Sequence, residues 1–428
     1  MLEALFLAVT LIIPKAGVQL ASVPLTLNIV LFALLIVKNV QRTFVSIQIS
    51  SWVGAFYYGF LMLGIISTLL VIGGRSTFQL AQNVIVLFSP LAIVATRGMD
   101  RDRAMKIVVV SLIIVNVVGL LQYAFGITRM SIPGITYTWG QSLATKPIGY
   151  GYSSVGEAEK IVSTFQNGNT YGIYLVLFLP VVLVWQCASS QWKKLKAVSI
   201  VLGLIGLAIC GSRSTVLPFL FVGTYLLLQR FSSWRGYIWK QNFLLSFVII
   251  LFIIIYIIYS NSEIVSSFFD RIIRQTINDP TATGRTDLWS NVMSTFFQMN
   301  PWEQVHFVLL GQDQPYDLVS EGFPEFVSRF GLIGSFLFYG MLIATIRFFG
   351  SNKTMRAIGA GMACALFAFL VDQSYYYPPT VMQFFLAAGI GCGLLTGGHA
   401  QHGKKNVGRV AVQRHARWIA GGFGGDSR

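Results

Sequence analysis

Long apolar blocks alternate with short polar ones along most of the chain. The blocks fall at 2–20, 20–37, 52–72, 78–96, 107–127, 168–186, 197–211, 214–229, 242–260, 326–346, 355–371 and 381–396. An α-helix needs about 20 residues to cross about 30 Å of hydrocarbon, so the pattern predicts an all-α polytopic membrane protein of about twelve helices. Two polar stretches interrupt the alternation, 128–167 and 261–325. The first is weakly patterned and carries Pro133, Gly134, Tyr137, Trp139, Tyr150 and Tyr152. In the second, Ile264, Val265, Phe268, Phe269, Ile272 and Ile273 recur at helical spacing, with Ser267, Asp270, Arg271 and Arg274 on the other face. That spacing predicts an amphipathic helix suited to the membrane interface. Another helix is predicted from Asp287, with Thr286 as N-cap and Leu288, Val292 and Phe296 as its stripe, ending before Asn300-Pro301. No internal repeat is visible, which weakens a transporter built from repeated halves.

Composition supports the same class: 54% of the 428 residues are hydrophobic and 11% charged. The net charge of +15 follows the membrane and does not point to nucleic acid. Of 31 Lys and Arg residues, 21 lie in the connections 38–51, 97–106, 187–196, 230–240 and 347–356 and in the tail after 397. Their alternation with poorer connections predicts that they and both termini are cytoplasmic. The two long stretches then face outward, as outer loops of one transmembrane domain over 1–396. The basic tail 397–428 is expected to be disordered or to lie on anionic lipid. The first apolar block lacks a basic n-region and a cleavage site, so it is expected to stay in the mature protein. Cys187, Cys210, Cys364 and Cys392 have no paired spacing and read as small core residues.

Candidate chemistry starts at Gly211-Ser212-Arg213-Ser214, a very short outward connection between two apolar blocks. A charge at membrane depth costs about 2.5–3.5 kcal/mol on insertion scales and is retained mostly beside an anionic partner. Few carboxylates lie in the apolar blocks, so a lipid-linked phosphate or pyrophosphate is the natural partner; a snorkelling interfacial Arg is the alternative. Arg285 precedes a predicted helix start and, with Arg213, would form a clamp suited to pyrophosphate; as a plain loop residue it would be solvated.

Asn167 and Asn169 lead into the helix carrying Tyr171, Gly172 and Tyr174, either as caps or as donors to sugar hydroxyls, and capping is the stronger reading for each alone. Candidate acids and bases are Asp313, Asp317, Glu321, Glu325, His306 and Asp372, and Glu321 and Glu325 are four apart. The cluster Tyr375, Tyr376, Tyr377, Pro378 and Pro379 reads as an interfacial aromatic belt in preference to a sugar platform. Four histidines, three of them in the tail, give no recognisable metal spacing.

Taken in order, these pieces resemble the O-antigen ligase and O-antigen polymerase superfamily of bacterial envelope polysaccharide assembly. The resemblance rests on Thr164, Phe165, Asn167, Asn169 and Gly172; on Ser212 and Arg213; on Gly284, Arg285 and Trp289; and on Gly331, Leu332 and Gly334. It spans about 160 to 345, and each motif is weak alone. Ligases of this family carry a His-Asn pair where this chain has Ser320-Glu321, so the resemblance leans toward a polymerase.

It implies a membrane-embedded lipid-donor glycosyltransferase fold without metal or cofactor. Donor and acceptor would be undecaprenyl-pyrophosphate-linked glycans at the outer face of the inner membrane, and a chain-length regulator would be a further partner. Arg213 and Arg285 would stabilise the departing pyrophosphate, and Glu321 would accept the acceptor proton, with Asp317, Glu325 and His306 as weaker choices. Asn167, Asn169, Arg271, Arg274, Asp317, Glu325 and Tyr376 would bind substrate. A ligase acting on lipid A core and a transporter are the rival readings.

Overall fold

A computed structural model describes residues 1–20, 23–70, 77–141, 148, 160–232, 285–311 and 322–402. The described residues are mostly helical. Ser51–Leu70, Phe78–Arg97, Arg101–Phe125 and Phe323–Ser351 are each long and apolar enough to cross a membrane, and the bent pair Leu27–Lys38 and Val40–Ser46 makes a fifth if it counts as one span. The other apolar helices among the described residues are shorter or more polar, and the predicted span 242–260 lies outside them. The chain is thus a mostly helical protein with several membrane-crossing helices.

The amino end departs from the expected all-α pattern. The block 2–20 holds helix α1 (Leu2–Ile12) and strand β1 (Gly17–Leu20), which pairs antiparallel with β2 (Val23–Thr26) before α2 (Leu27–Lys38). Pro14 and Pro24 cannot donate within a helix and clash with the preceding turn, so neither block continues as one helix. At Gly17 an added Cβ would lie 2.3 Å from the Leu25 carbonyl oxygen. Gly134 and Trp139 of the first polar stretch hydrogen-bond to the free side of β1 around an isolated bridge between Val18 and Trp139. Gly17 N donates to Gly134 O (3.1 Å), Gln19 N to Trp139 O (2.8 Å) and Trp139 N to Gly17 O (2.9 Å).

After α3 (Val40–Ser46) come α4 (Ser51–Leu70) and α5 (Thr77–Phe88). A 3₁₀ turn (Ser89–Ile93) joins α5 to the short α6 (Val94–Arg97). Helix α7 (Arg101–Phe125) starts where the Asp100 side chain accepts from Arg103 N at 2.9 Å and stops at Gly126, whose φ of 91° suits glycine. Helix α8 (Gly168–Val184) is buried from Gly168 to Val182, as expected of a helix that is apolar all round. It is the central element, packed by α7, α9 (Ser190–Ile209), α10 (Arg213–Ser232) and the two last helices.

Helices α11 (Arg285–Gln298) and α12 (Pro301–Leu310) precede α13 (Phe323–Ser351), α14 (Arg356–Val371), a 3₁₀ turn (Gln373–Tyr376) and α15 (Pro378–His402). Helix α11 begins earlier than the predicted Thr286 cap, and α15 runs beyond residue 396 into the segment expected to be a tail. Helix α13 is broken at Gly331 (φ 72°, ψ 171°). A Cβ there would lie 2.7 Å from Leu309 O, so the break lets α12 approach the α13 backbone directly.

The basic connections 97–106, 187–196 and 347–356 share one end of the bundle. Trp185 Nε1 donates to Asp102 (3.4 Å), Lys106 lies over the Trp192 ring, and Cβ atoms added at Gly389 and Gly391 would meet Thr96 and Phe349. The start of α8, the Arg213 loop, the start of α13 and the α14–α15 connection gather at the opposite end.

Candidate functional site

The start of α8 is fixed by a capping box. The Asn167 side chain accepts from Thr170 N at 2.9 Å, and Asn167 N donates to Thr170 Oγ1 at 3.3 Å. Ser163 sits just upstream with φ 53°, held by Gln122, whose side chain accepts from Ser163 N (2.7 Å) and donates to Ser163 O (2.8 Å). Against this turn lies the Arg213 loop. A Cβ at Gly168 would lie 2.3 Å from Cys210 O, and one at Gly172 would lie 2.3 Å from Thr215 Oγ1 and 3.3 Å from Ser212 Cβ. Two separate sequence motifs therefore meet, and the amino ends of α8 and α10 come together, where helix dipoles favour anions. Arg213 is half-buried as the first residue of α10, and Ser212 is fully buried, 3.3 Å from the Ser214 hydroxyl.

A second polar group begins at the second residue of α8. Asn169 Nδ2 donates to Asp372 Oδ2, and Ser374 Oγ donates to Asp372 Oδ1. Ser374 O in turn accepts from Thr380 Oγ1. Asn169, Asp372, Ser374 and Thr380 are all buried. A carboxylate held by two side-chain donors is oriented as well as stabilised. The network ties α8 to the 3₁₀ turn and to the first turn of α15.

The third group surrounds Arg329. Its guanidinium donates to Glu325 Oε1 (2.8 Å) and to Gln82 Oε1 (3.0 Å) and lies 3.9 Å from the Tyr376 ring centroid. The Tyr376 and Tyr375 rings pack at a tilt with centroids 4.2 Å apart, and Tyr375 donates to Gly322 O at 3.0 Å. Burial pushes the Tyr375 phenol well above its ordinary pKa, so it remains a neutral donor. Ser67 of α4 donates to Arg329 O (3.0 Å) and Leu310 O (2.5 Å), joining α12 to the same cluster.

Asn167 thus acts as a cap, as favoured, whereas Asn169 points instead to a carboxylate. Glu325 is an ion-pair partner inside the protein. Tyr375 and Tyr376 are buried, which overturns the interfacial-belt reading: they pack on Phe326 and Arg329 and so do not face lipid headgroups. His306 Nδ1 lies 3.1 Å from Gly311 O. Arg285 is the first residue of α11. Glu321, Arg271, Arg274, Asp313 and Asp317, and the amphipathic helix expected over 264–274, lie outside the described residues.

Glu325 and Asp372, which flank the apolar blocks 326–346 and 355–371, are both buried at helix ends. Arg329 escaped the sequence reading. It is the only Lys or Arg within the apolar block 326–346, and the rule that singled out Arg213 applies to it equally. No protein-family model and no curated protein matches the chain.

Proposed function

We propose that the protein polymerises oligosaccharide repeat units carried on undecaprenyl pyrophosphate, at the outer face of a bacterial inner membrane. The observation that carries the reading is the contact of the α8 start with the Ser212-Arg213 loop. The resemblance requires these two elements to serve one site although Asn169 and Ser212 lie 43 positions apart in the chain. In the reaction, the hydroxyl of an incoming lipid-linked repeat attacks the anomeric carbon of the growing chain. The carbon–oxygen bond to pyrophosphate breaks as the glycosidic bond forms. Arg213 and Arg285 stabilise the charge on the leaving pyrophosphate, the electrostatic contribution that is usually largest in such catalysis. Glu321 accepts the hydroxyl proton. Asn167, Arg271, Arg274 and Asp317 border the glycan, and Asp372 holds Asn169 in place.

A second reading has one observation in its favour. The largely buried Glu325–Arg329 pair and Asp372 supply ionisable groups near span ends, and such groups also mark transport pathways. Loss of the gene separates the readings. A polymerase predicts lipid carrier or lipid A core bearing single repeat units. A ligase predicts long polymer left on undecaprenyl pyrophosphate, and a transporter predicts unpolymerised material retained on the cytoplasmic side.

A further inference from the structure

Helices α11 and α12 form a hairpin whose turn is tightly specified. The Asn300 side chain accepts from Glu303 N at 2.9 Å, and the Glu303 carboxylate accepts from Asn300 N at 3.1 Å. Gln304 Nε2 donates to Phe296 O and Met299 O, each at 3.2 Å. On the inner side Val292 and Phe307 pack with Val327 of α13, and the Phe296 and Phe307 rings lie 5.5 Å apart.

The outer side of α12 is apolar as well. Trp302, Val305 and Leu309 recur at i, i+3 and i+7, away from the buried Phe307, with 80%, 49% and 43% of their surface exposed. Phe297 of α11 is 71% exposed. A helix with apolar stripes on opposite faces is built to have both covered.

Depth identifies what covers the outer one. Leu310 O accepts from Ser67, one turn before α4 ends at Leu70, and Leu309 lies against Gly331, two turns inside α13. Both partners are membrane-crossing helices. Their apolar residues at this level, Leu69 and Leu70 on α4 and Leu332 on α13, are exposed too. The α12 stripe is therefore continuous with the apolar perimeter of two spans, and its outermost residue is a tryptophan, the side chain suited to the boundary between acyl chains and headgroups.

We propose that the α11–α12 hairpin lies in the membrane boundary at the site end of the bundle, with Trp302, Val305 and Leu309 immersed in phospholipid acyl chains. It is an in-plane lipid-binding element, and it sets the Glu325–Arg329 end of α13 at headgroup level. The assignment does not depend on glycan chemistry and would hold equally for a transporter.

The test uses wild-type protein in nanodiscs of phosphatidylethanolamine and phosphatidylglycerol containing a phospholipid with an acyl-chain diazirine. After illumination, adducts mapped by mass spectrometry are expected on the peptide bearing Trp302 to Leu309 as well as on α4 and α13. Adducts on α4 and α13 with none on α12 would overturn the proposal. In a second arm, Trp302→Cys and Leu309→Cys carry spin labels in a Cys187→Ser, Cys392→Ser background. Oxygen should relax these labels more than a water-soluble nickel chelate does, and the preference should weaken or reverse for Glu303→Cys. Nickel-dominated relaxation at Trp302 and Leu309 would place the stripe in water. Low access to both reagents would mean that protein covers it. Either result contradicts the proposal.

Discussion

Asn169, the second residue of α8, donates its side-chain amide to the buried carboxylate of Asp372 at the end of α14, joining residues 203 positions apart. The bond locks the element that leads into α8 to the α14–α15 connection. It gives Asn169 a fixed orientation beside the Arg213 loop.

Removing this bond should cost stability as well as function. Asn169→Leu leaves the Asp372 carboxylate short of one donor, and a hydrogen bond to a charged group is worth about 1.5–3 kcal/mol. Thermal unfolding in detergent should show the loss, with Asn169→Gln recovering only part of it. Unchanged unfolding for Asn169→Leu would remove Asp372 from the account.

The Glu325–Arg329 pair lends itself to a double-mutant cycle. Breaking a buried pair by changing one partner costs about 3–5 kcal/mol, because the other charge is left uncompensated. Glu325→Met and Arg329→Met should each destabilise strongly, and the double variant should lose less than the sum. Gln82 and Tyr376 also hold Arg329, so Glu325→Met is expected to be the milder single change.

Close packing between α8 and α10 gives a cleaner stability contrast. Gly172→Ala drives a methyl group into Thr215 and should cost about 1–3 kcal/mol as overpacking. No atom of the described residues lies within 4 Å of a Cβ added at Gly223 in α10, so Gly223→Ala should be neutral or stabilise by up to about 1 kcal/mol. Comparison of the two unfolding midpoints checks both.

Membrane sidedness has a direct label test. Trp139 is exposed beside the β1–β2 hairpin, and Cys187 lies half-buried in a basic connection at the other end of the bundle. In a Cys187→Ser background, Trp139→Cys should react with an impermeant maleimide in intact spheroplasts, whereas Lys194→Cys should react only after lysis. The opposite pattern would invert the topology and place the Arg213 loop in the cytoplasm.

The mostly helical, membrane-crossing class was legible because membrane helices announce themselves by length and apolarity, although among the described residues four helices, or five with the bent pair, meet that standard against about twelve expected. The α8 cap at Asn167 could likewise be located from local sequence, whereas the break at Gly331 was hidden inside an apolar block, 326–346, that reads as one helix. The amino-terminal blocks misled because their apolar residues suit strand and helix equally; Pro14, Gly17 and Pro24 carry the difference. Tyr375 and Tyr376 were assigned to the membrane boundary because sequence shows an aromatic cluster but not the Arg329 guanidinium packed on it. The Asn169–Asp372 bond was hidden for a related reason: nothing local pairs residues on helices so far apart in the chain.

The central claim is glycan polymerisation at the Arg213 end of the bundle, and the most direct measurement is elongation by purified protein. Reconstituted wild type given synthetic undecaprenyl-pyrophosphate-linked repeat units should release undecaprenyl pyrophosphate and build a ladder of longer products. Arg213→Ala should lower that turnover by about 10²–10³-fold, the range for loss of one electrostatic stabiliser, with unfolding unchanged. Glu321→Gln should lower it by about 10²–10⁴-fold if the carboxylate accepts the proton. No ladder from folded wild-type protein, or an undiminished one from Arg213→Ala, would contradict the account.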